Sequence, residues 1–370
     1  MRPSIGVLIV DDSAVVRKIV SEALTTEGDI VVAGVAPNGR IALERLELLR
    51  PDIVLLDLEM PEMDGLATLK VLRERFRDLP VVVFSTMTER GAAVTLDALA
   101  AGANDYVCKP SGAANLQASM RVVRGALLEK IRVLVARARD AREVRVSQSA
   151  PRPLPPPPPL PEPSNAPIAA VAIGISAGGP AALSAVVPQI PADIGVPIVL
   201  VQHMPATFTA LLAQRLGAAS RIRVLEATHR GRLEAGTLYV APGDRHLTLG
   251  ASGTSVLTLL DSGPLENGCR PAVDPLFRSA AQVYGTGLLA VVMTGMGTDG
   301  TLGATEVRRS GGHVWAQDQA TSTIWGMAGS VVRAGLAERI FRLDDLAGDM
   351  ARLVRKHRPA EALVGGRGRA

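Results

Sequence analysis

The sequence predicts two doubly wound parallel α/β domains in tandem, joined by a proline-rich linker. Three observations carry this. Short apolar runs alternate with helix-length stretches along both halves of the chain. Several of those runs end abruptly in polar residues. Val7-Leu8-Ile9-Val10 stops at Asp11-Asp12, Ile53-Val54-Leu55-Leu56 stops at Asp57, and Ile173-Gly174-Ile175 runs into Ser176-Ala177-Gly178-Gly179. Finally, a run of five prolines at 155–159 separates the two patterns.

In the first half the spacing predicts strands at residues 6–10, 30–33, 53–56, 81–84 and 105–107. Helical patterns fall between them at 14–27, 39–49, 65–75 and 90–101. Each strand is thus followed by a helix, the arrangement that gives parallel pairing with right-handed crossovers. Residues 114–142 read as one long helix that becomes Arg-rich toward its outer half. Residues 151–167 read as an extended linker, because proline fixes φ and lacks the backbone donor. In the second half, strands are expected at 169–175, 197–202, 222–226, 237–240, 288–293 and 313–316. Helices are expected at 179–187, 208–219, 275–284 and 301–310.

The 370-residue length is sufficient for two hydrophobic cores. Aromatic residues make up 3%, too few for the stacking platforms that single-strand nucleic-acid binders need. The formal charge of +4 comes from scattered arginines and from the tail Arg355-Lys356-His357-Arg358, with no basic stripe, so no nucleic-acid partner is expected. Cys108 and Cys269 form neither a CxxC motif nor a disulfide framework, which points to a reduced, cytoplasmic setting. The N-terminus has no signal-peptide pattern, and no apolar stretch reaches the ~20 residues of a membrane span. No direct membrane insertion is expected, and any membrane link runs through a partner.

Parallel sheets collect functional groups at the carboxyl ends of their strands. Asp11, Asp12 and Asp57 fall at such ends on strands expected to be neighbours. Three converging carboxylates repel unless a hard cation neutralises them, and Mg²⁺, which prefers oxygen ligands, suits the set. Ser85 and Lys109 follow the fourth and fifth strands at the same edge, where a hydroxyl and an ammonium could bind phosphoryl oxygens. A lone Asp after a strand more commonly caps the next helix. The whole set at these spacings outweighs that reading.

In the second half, Gly174-Ile175-Ser176-Ala177-Gly178 satisfies G-x-S-x-G, with an apolar strand before it and a helical pattern after it. The turn would expose the Ser176 hydroxyl and aim backbone N–H groups at a developing oxyanion. A serine nucleophile needs a base. Of five histidines, His203 ends the strand Val199-Leu200-Val201-Gln202 at the same edge. The base needs an orienting carboxylate, and Asp299 lies in the Gly-rich turn after the strand at 288–293. The chain order Ser, His, Asp differs from the Ser, acid, His order of α/β-hydrolases. Residues 295–300 also fit G-x-G-x-x-G, with Asp318 near the place of a ribose-binding acid. A dinucleotide site there would leave Ser176 and His203 without roles.

From Met1 to about residue 128 the chain resembles response-regulator receiver domains. The resemblance rests on Asp11-Asp12, on Leu56-Asp57-Leu58-Glu59-Met60-Pro61-Glu62-Met63-Asp64-Gly65, on Ser85, and on Tyr106-Val107-Cys108-Lys109-Pro110. It implies a flavodoxin-like fold in which Asp57 accepts a phosphoryl group from a histidine kinase. Asp11, Asp12, Asp57 and the Glu59 carbonyl are then expected to hold Mg²⁺. Ser85 and Tyr106 would report the modification, Lys109 would pair with Asp57 or its phosphate, and the Lys109–Pro110 bond would be cis. Residues 168–346 resemble the catalytic domain of the chemotaxis protein-glutamate methylesterase (CheB) family. This rests on the Ser176 pentapeptide, Gln202-His203-Met204-Pro205, residues 239–247, Arg270-Pro271-Ala272-Val273-Asp274-Pro275-Leu276-Phe277, residues 293–300 and Ala316-Gln317-Asp318.

The second resemblance implies a Rossmann-like catalytic domain with Ser176 as nucleophile, His203 as general base and acid, and Asp299 as orienting carboxylate. The Ala177 and Met296 N–H groups are the expected oxyanion donors. The reaction implied is hydrolysis of glutamate methyl esters on chemoreceptors, with deamidation of receptor glutamines, and it requires no cofactor. Two residues depart from the family pattern: Ala177 stands where a Thr is usual, and Gly326-Met327-Ala328 stands where Gly-Met-Pro is usual. The second segment is expected to line the substrate approach. Domains are accordingly placed at 1–128 (receiver), 129–167 (helical extension and linker), 168–358 (catalytic) and 359–370 (flexible tail). The unphosphorylated receiver is expected to cover the active-site edge. A rival reading is a receptor-docking adaptor with a degenerate esterase domain. A DNA-binding output domain is disfavoured by the strand–helix alternation.

Overall fold

In each half, the apolar runs that stop at the site residues are followed by segments long enough to cross back over a sheet, and those strands pair in parallel. The computed structural model describes residues 4–25, 28–86, 88–109, 116–146 and 164–356. It divides into two compact units, Met1–Arg152 and Pro153–Ala370. The proline run at 155–159, the Lys109–Pro110 bond and the tail from residue 357 lie outside the described residues.

The first unit alternates β1 (Ile5–Val10), α1 (Ala14–Thr25), β2 (Ile30–Ala36), α2 (Gly39–Leu49) and β3 (Ile53–Asp57). It continues with α3 (Gly65–Arg75), β4 (Val81–Ser85), α4 (Glu89–Ala100), β5 (Asp105–Cys108) and α5 (Leu116–Val146). The strands form one sheet in the order β2-β1-β3-β4-β5, and every pair is parallel. This is the flavodoxin-like order, which reverses between β1 and β3 and so opens a crevice at their carboxyl ends. Three helices start on side-chain caps. Asn38, Asp64 and Thr88 accept from the N–H groups of Ile41, Ala67 and Gly91 at 3.0, 2.8 and 3.0 Å. Helix α5 is one unbroken helix of 31 residues. It is tied to the unit by Lys130 with Asp105 at 2.5 Å and by Arg132 with Asp29 at 2.8 Å.

The second unit begins with β6 (Ala170–Ile175), α6 (Gly179–Val186), β7 (Ile198–Gln202), α7 (Ala206–Ala219), β8 (Arg223–Glu226) and β9 (Thr237–Val240). After an inserted hairpin, β10 (His246–Ser252) and β11 (Ser255–Asp261), come α8 (Val273–Tyr284), β12 (Leu288–Val292), α9 (Thr301–Arg309) and β13 (His313–Gln317). The unit closes with α10 (Met327–Arg333), β14 (Arg339–Phe341) and α11 (Leu346–Lys356). Its seven-stranded parallel sheet has the order β14-β13-β12-β6-β7-β9-β8. Here the order reverses between β6 and β12, so the Ser176 turn and the Asp299 loop leave the sheet side by side.

The hairpin adds an antiparallel element to an otherwise parallel design. It is placed on α8, where the Leu249 N–H donates to Ser279 Oγ at 3.0 Å. The core on this side of the sheet joins Ala170, Ala172, Val199, Val201, Ala290 and Val292 to Val273, Leu276 and Phe277 of α8. Phe277 is fully buried. Phe277→Ala is therefore expected to destabilise the unit by about 3–5 kcal/mol, the cost of emptying an aromatic site in a packed core. Both tryptophans, Trp315 and Trp325, lie in this unit. A fall in the urea midpoint of tryptophan emission measures the loss.

Candidate functional site

In the first unit, Asp57 occupies the last position of β3, and Asp11 and Asp12 follow β1. Asp11 and Asp57 are buried and Asp12 is exposed, with carboxylate oxygens of all three within 4.8 Å of one another. Lys109 Nζ sits between two of them, 2.8 Å from Asp11 Oδ2 and 2.7 Å from Asp57 Oδ2. Burial pushes the Asp57 pKa up to about 6, with Asp11 adding to this and Lys109 opposing it. Burial pulls the Lys109 ammonium down, but the two carboxylates outweigh it and hold the pKa above the ordinary lysine value.

An acidic crevice of oxygen ligands that one ammonium only partly balances fits a hard divalent cation. Glu59 is exposed, and its N–H lies 3.4 Å from Asp57 Oδ1. Ser85 ends β4 but turns toward α4, with its Oγ bonded to the Gly91 carbonyl at 3.3 Å and to the Thr95 hydroxyl. Tyr106 lies on β5 beneath Lys130, whose Nζ is 5.5 Å from the ring centre.

In the second unit, Ser176, His203 and Asp299 follow β6, β7 and β12, three adjacent strands. The serine turn is held from both sides. The Ser176 N–H donates to the Thr294 carbonyl at 2.9 Å, and Thr294 Oγ1 donates to the Ala177 carbonyl at 2.8 Å. Gln202 Nε2 donates to the Ser176 carbonyl at 3.0 Å. Two glycines permit this proximity. Gly178 has φ +76°, which L side chains rarely adopt, and a Cβ on Gly295 would lie 2.9 Å from Ser176 Cβ. Among the described residues, neither the Ala177 nor the Met296 N–H has a hydrogen-bond acceptor. The family departure at 177 leaves that backbone donor in place.

His203 Nε2 lies 2.8 Å from Asp299 Oδ2, and the ring is only 10% exposed. Burial lowers the imidazole pKa, but the Asp299 hydrogen bond and Cys269 raise it to about 9. Burial favours the neutral form of Asp299, while the His203 contact and the N–H groups of Val273 and Asp274 favour the carboxylate and bring its pKa below the ordinary value. Among the described residues no hydrogen bond joins the Ser176 hydroxyl to His203. The two meet through the backbone, where the His203 N–H donates to the Ile175 carbonyl at 3.2 Å. The other ring nitrogen, Nδ1, lies 3.5 Å from Cys269 Sγ. His203, Cys269, Leu265, Arg270 and Asp244 line a cavity of about 290 Å³.

One expectation changes. Ala328 is fully buried in the core and does not line an approach to the serine. Its segment instead buttresses the Asp299 loop, with the Gly326 and Met327 N–H groups donating to the Gly295 carbonyl at 3.0 and 2.9 Å. The packing also brings in residues without an assigned role in the sequence reading, namely Asn267, Cys269 and Asp274. The signals for them were the Asn267-Gly268 pair, a turn dipeptide, and the place of Asp274 in the motif at residues 270–277. Of the other described histidines, His246 bonds the Pro264 carbonyl and His313 bonds Glu338 and the Ser164 carbonyl, which are framework contacts. Asp318 is taken up by the Thr321 N–H at 3.0 Å.

Comparison with known proteins is consistent with this arrangement. Residues 171–350 match the model of the CheB methylesterase family, and residues 7–121 match that of response regulator receiver domains. The chain is 46% identical over 358 residues to a protein-glutamate methylesterase/protein-glutamine glutaminase of Nocardioides sp., covering 97% of this chain and 98% of that protein. It is 44% identical over 352 residues to the protein of the same description from Trichodesmium erythraeum, with 95% and 99% covered. The crystal structure of the Thermotoga maritima CheB methylesterase catalytic domain superposes with a TM-score of 0.50 and 41% identity, covering 50% of this chain and 99% of that one. Family models matching both units and nearly full-length likeness at 44–46% identity show that the chain belongs to the CheB family of receiver-linked protein-glutamate methylesterases/protein-glutamine glutaminases.

Proposed function

We propose that the chain is a phosphorylation-activated serine esterase that hydrolyses glutamate methyl esters on chemoreceptors and deamidates specific receptor glutamines. The observation that carries this is the buried His203–Asp299 pair at 2.8 Å, placed on the strands that flank the Ser176 turn. A degenerate docking domain has no need for an imidazole and a carboxylate paired at that point.

Ser176 Oγ attacks the ester carbonyl carbon while His203 takes the hydroxyl proton. Asp299 holds Nε2, so Nδ1 is the nitrogen that exchanges protons with Ser176 and with the leaving methoxide. Bonding to a carboxylate selects the Nε2–H tautomer. The N–H groups of Ala177 and Met296 face the oxyanion. Methanol departs with the proton, and water then hydrolyses the acyl-enzyme with His203 acting again as base. A glutamine side chain follows the same path, with ammonia leaving. A histidine kinase supplies the phosphoryl group that Asp57 accepts, and Lys109 moves its contact from the carboxylate to the new phosphate. Mg²⁺, held by Asp11, Asp12, Asp57 and the Glu59 carbonyl, would neutralise the crowded charge. Ser85 and Tyr106 sense the modified Asp57. The chain acts in the cytoplasm, and its membrane link is the receptor.

Methanol release from a methylated receptor fragment is expected to rise when acetyl phosphate is added. Ser176→Ala is expected to lower it by about 10⁴-fold or more, as loss of a nucleophile does in other triads. Wild-type turnover in that variant would falsify the nucleophile assignment. Because the base must be neutral, kcat/KM is expected to climb with pH to a midpoint of about 9, and a flat profile between pH 7 and 10 contradicts His203 as base. Acetyl-phosphate labelling is expected to vanish in EDTA, to return with Mg²⁺, and to be absent in Asp57→Asn. Labelling that survives the substitution removes Asp57 from its role.

A further inference from the structure

Asp299 is not the only buried acid behind His203. Asp274, in the first turn of α8, is 1% exposed, and Asp299 is 2% exposed. Two carboxylates side by side in a dry site repel one another and spoil the geometry that either must keep. The amide of Asn267 lies between them. Its Nδ2 is 2.9 Å from Asp274 Oδ2 and 2.9 Å from Asp299 Oδ1. Both partners are acceptors, so the NH₂ end must face them, and its two protons serve one carboxylate each.

Each remaining oxygen is also engaged. Asp299 Oδ1 accepts from the Asp274 and Gly300 N–H groups at 3.0 and 2.9 Å, and Oδ2 accepts from the Val273 N–H at 2.6 Å and from His203. Asp274 Oδ1 accepts from the Gly303 N–H at 2.6 Å. The backbone donors belong to the start of α8, to the Asp299 loop and to the first turn of α9, and Asn267 is the side chain that fastens the two acids together.

The local sequence explains how Asn267 reaches this place. Glu266 and Cys269 pair across a two-residue turn, with N–H to carbonyl distances of 3.2 and 2.9 Å. Asn267 and Gly268 both have positive φ, 52° and 73°. Asn-Gly is the pair best suited to that turn. Glu266 is bonded to Arg278 of α8 at 2.7 and 2.8 Å, so the small hairpin is anchored on the helix whose first residues hold Asp299.

We propose that Asn267 is a positioning residue for the esterase reaction. It bridges Asp274 and Asp299, and by fixing Asp299 Oδ1 it aims Oδ2 at His203. This rests on the esterase reading above. Asn267 acts through Asp299 and, among the described residues, makes no hydrogen bond to Ser176 or His203. Losing the bridge costs the transition state, in which His203 carries charge, more than it costs substrate binding.

The test uses the full chain with acetyl phosphate and Mg²⁺, and a peptide bearing a glutamate γ-methyl ester, with methanol release as readout. Asn267→Ala is expected to lower kcat by about 10–100-fold, the worth of a hydrogen bond to a charged group, with KM within about twofold. Asn267→Asp keeps the shape and suits the turn equally well, so it tests the amide with the hairpin intact. It adds a negative charge beside the His203–Asp299 pair, which favours the imidazolium. The midpoint of the rising pH limb is expected to move up by about one unit. Adding Asp274→Asn to it restores two acids and one amide, and the midpoint is expected to return toward wild type.

Tryptophan emission on heating shows which variants are folded. Folded variants with wild-type kcat and an unmoved midpoint overturn the inference, as does a loss of kcat with no change of midpoint in Asn267→Asp, the mark of a merely structural role. A wild-type chain that releases no methanol overturns the esterase reading itself. A wild type that is active, with Ser176→Ala inactive, leaves Asn267 alone on trial.

Discussion

The catalytic unit is organised around one buried carboxylate. Asp299 lies in the loop between β12 and α9, with its carboxylate against the start of α8, and it accepts from three backbone N–H groups, one amide and one imidazole. A carboxylate in a dry site must satisfy its oxygens or take up a proton. The helix terminus, the Gly-rich loop and the Asn267 hairpin all converge because Asp299 requires them. The imidazole is held in turn, and the serine turn is clamped to the same loop by Thr294.

The receiver unit meets a related difficulty with the opposite outcome. Its acids also gather at the switch point of a parallel sheet, but there a lysine joins the N–H groups of Ser13 and Glu59 in balancing them. Lys109 reaches two carboxylates at once and leaves Asp57 with a pKa of about 6, well above an ordinary aspartate. Such a cluster is only partly neutralised, which suits the phosphorylation switch proposed above. Asp299, by contrast, is fully satisfied and suits a fixed role. The two units thus gather acids at the same kind of sheet edge, with different donors around them.

Much of the fold was legible because its strands are short apolar runs with hard polar stops. Val81 to Ser85 and Ile198 to Gln202 are fully buried and stand within a residue of where the pattern places them. The β10–β11 hairpin and the terminal α10, β14 and α11 were not read. The hairpin is only partly buried along most of its length and belongs to no strand–helix repeat. β14 is only three residues long, with Arg339 and Ile340 exposed, so it carries almost no apolar signal. Ala328 misled in a different way. Its place in a family motif suggested the substrate path, whereas packing puts it in the core behind the loop.

The residue pattern alone pointed to the kind of chemistry in each half. Carboxylates, a serine and a histidine at the ends of apolar runs must gather at one sheet edge, because parallel strands all end there. It could not decide which ring nitrogen of His203 meets Asp299, nor that Asn267 and Asp274 stand behind that pair. Asn267 is 32 residues from Asp299 in the chain and 2.9 Å away in space. That distance depends on how the Asn-Gly hairpin is anchored to α8 and how α8 packs on the sheet. Periodicity locates elements along the chain, and only their packing decides which donors face a buried acid.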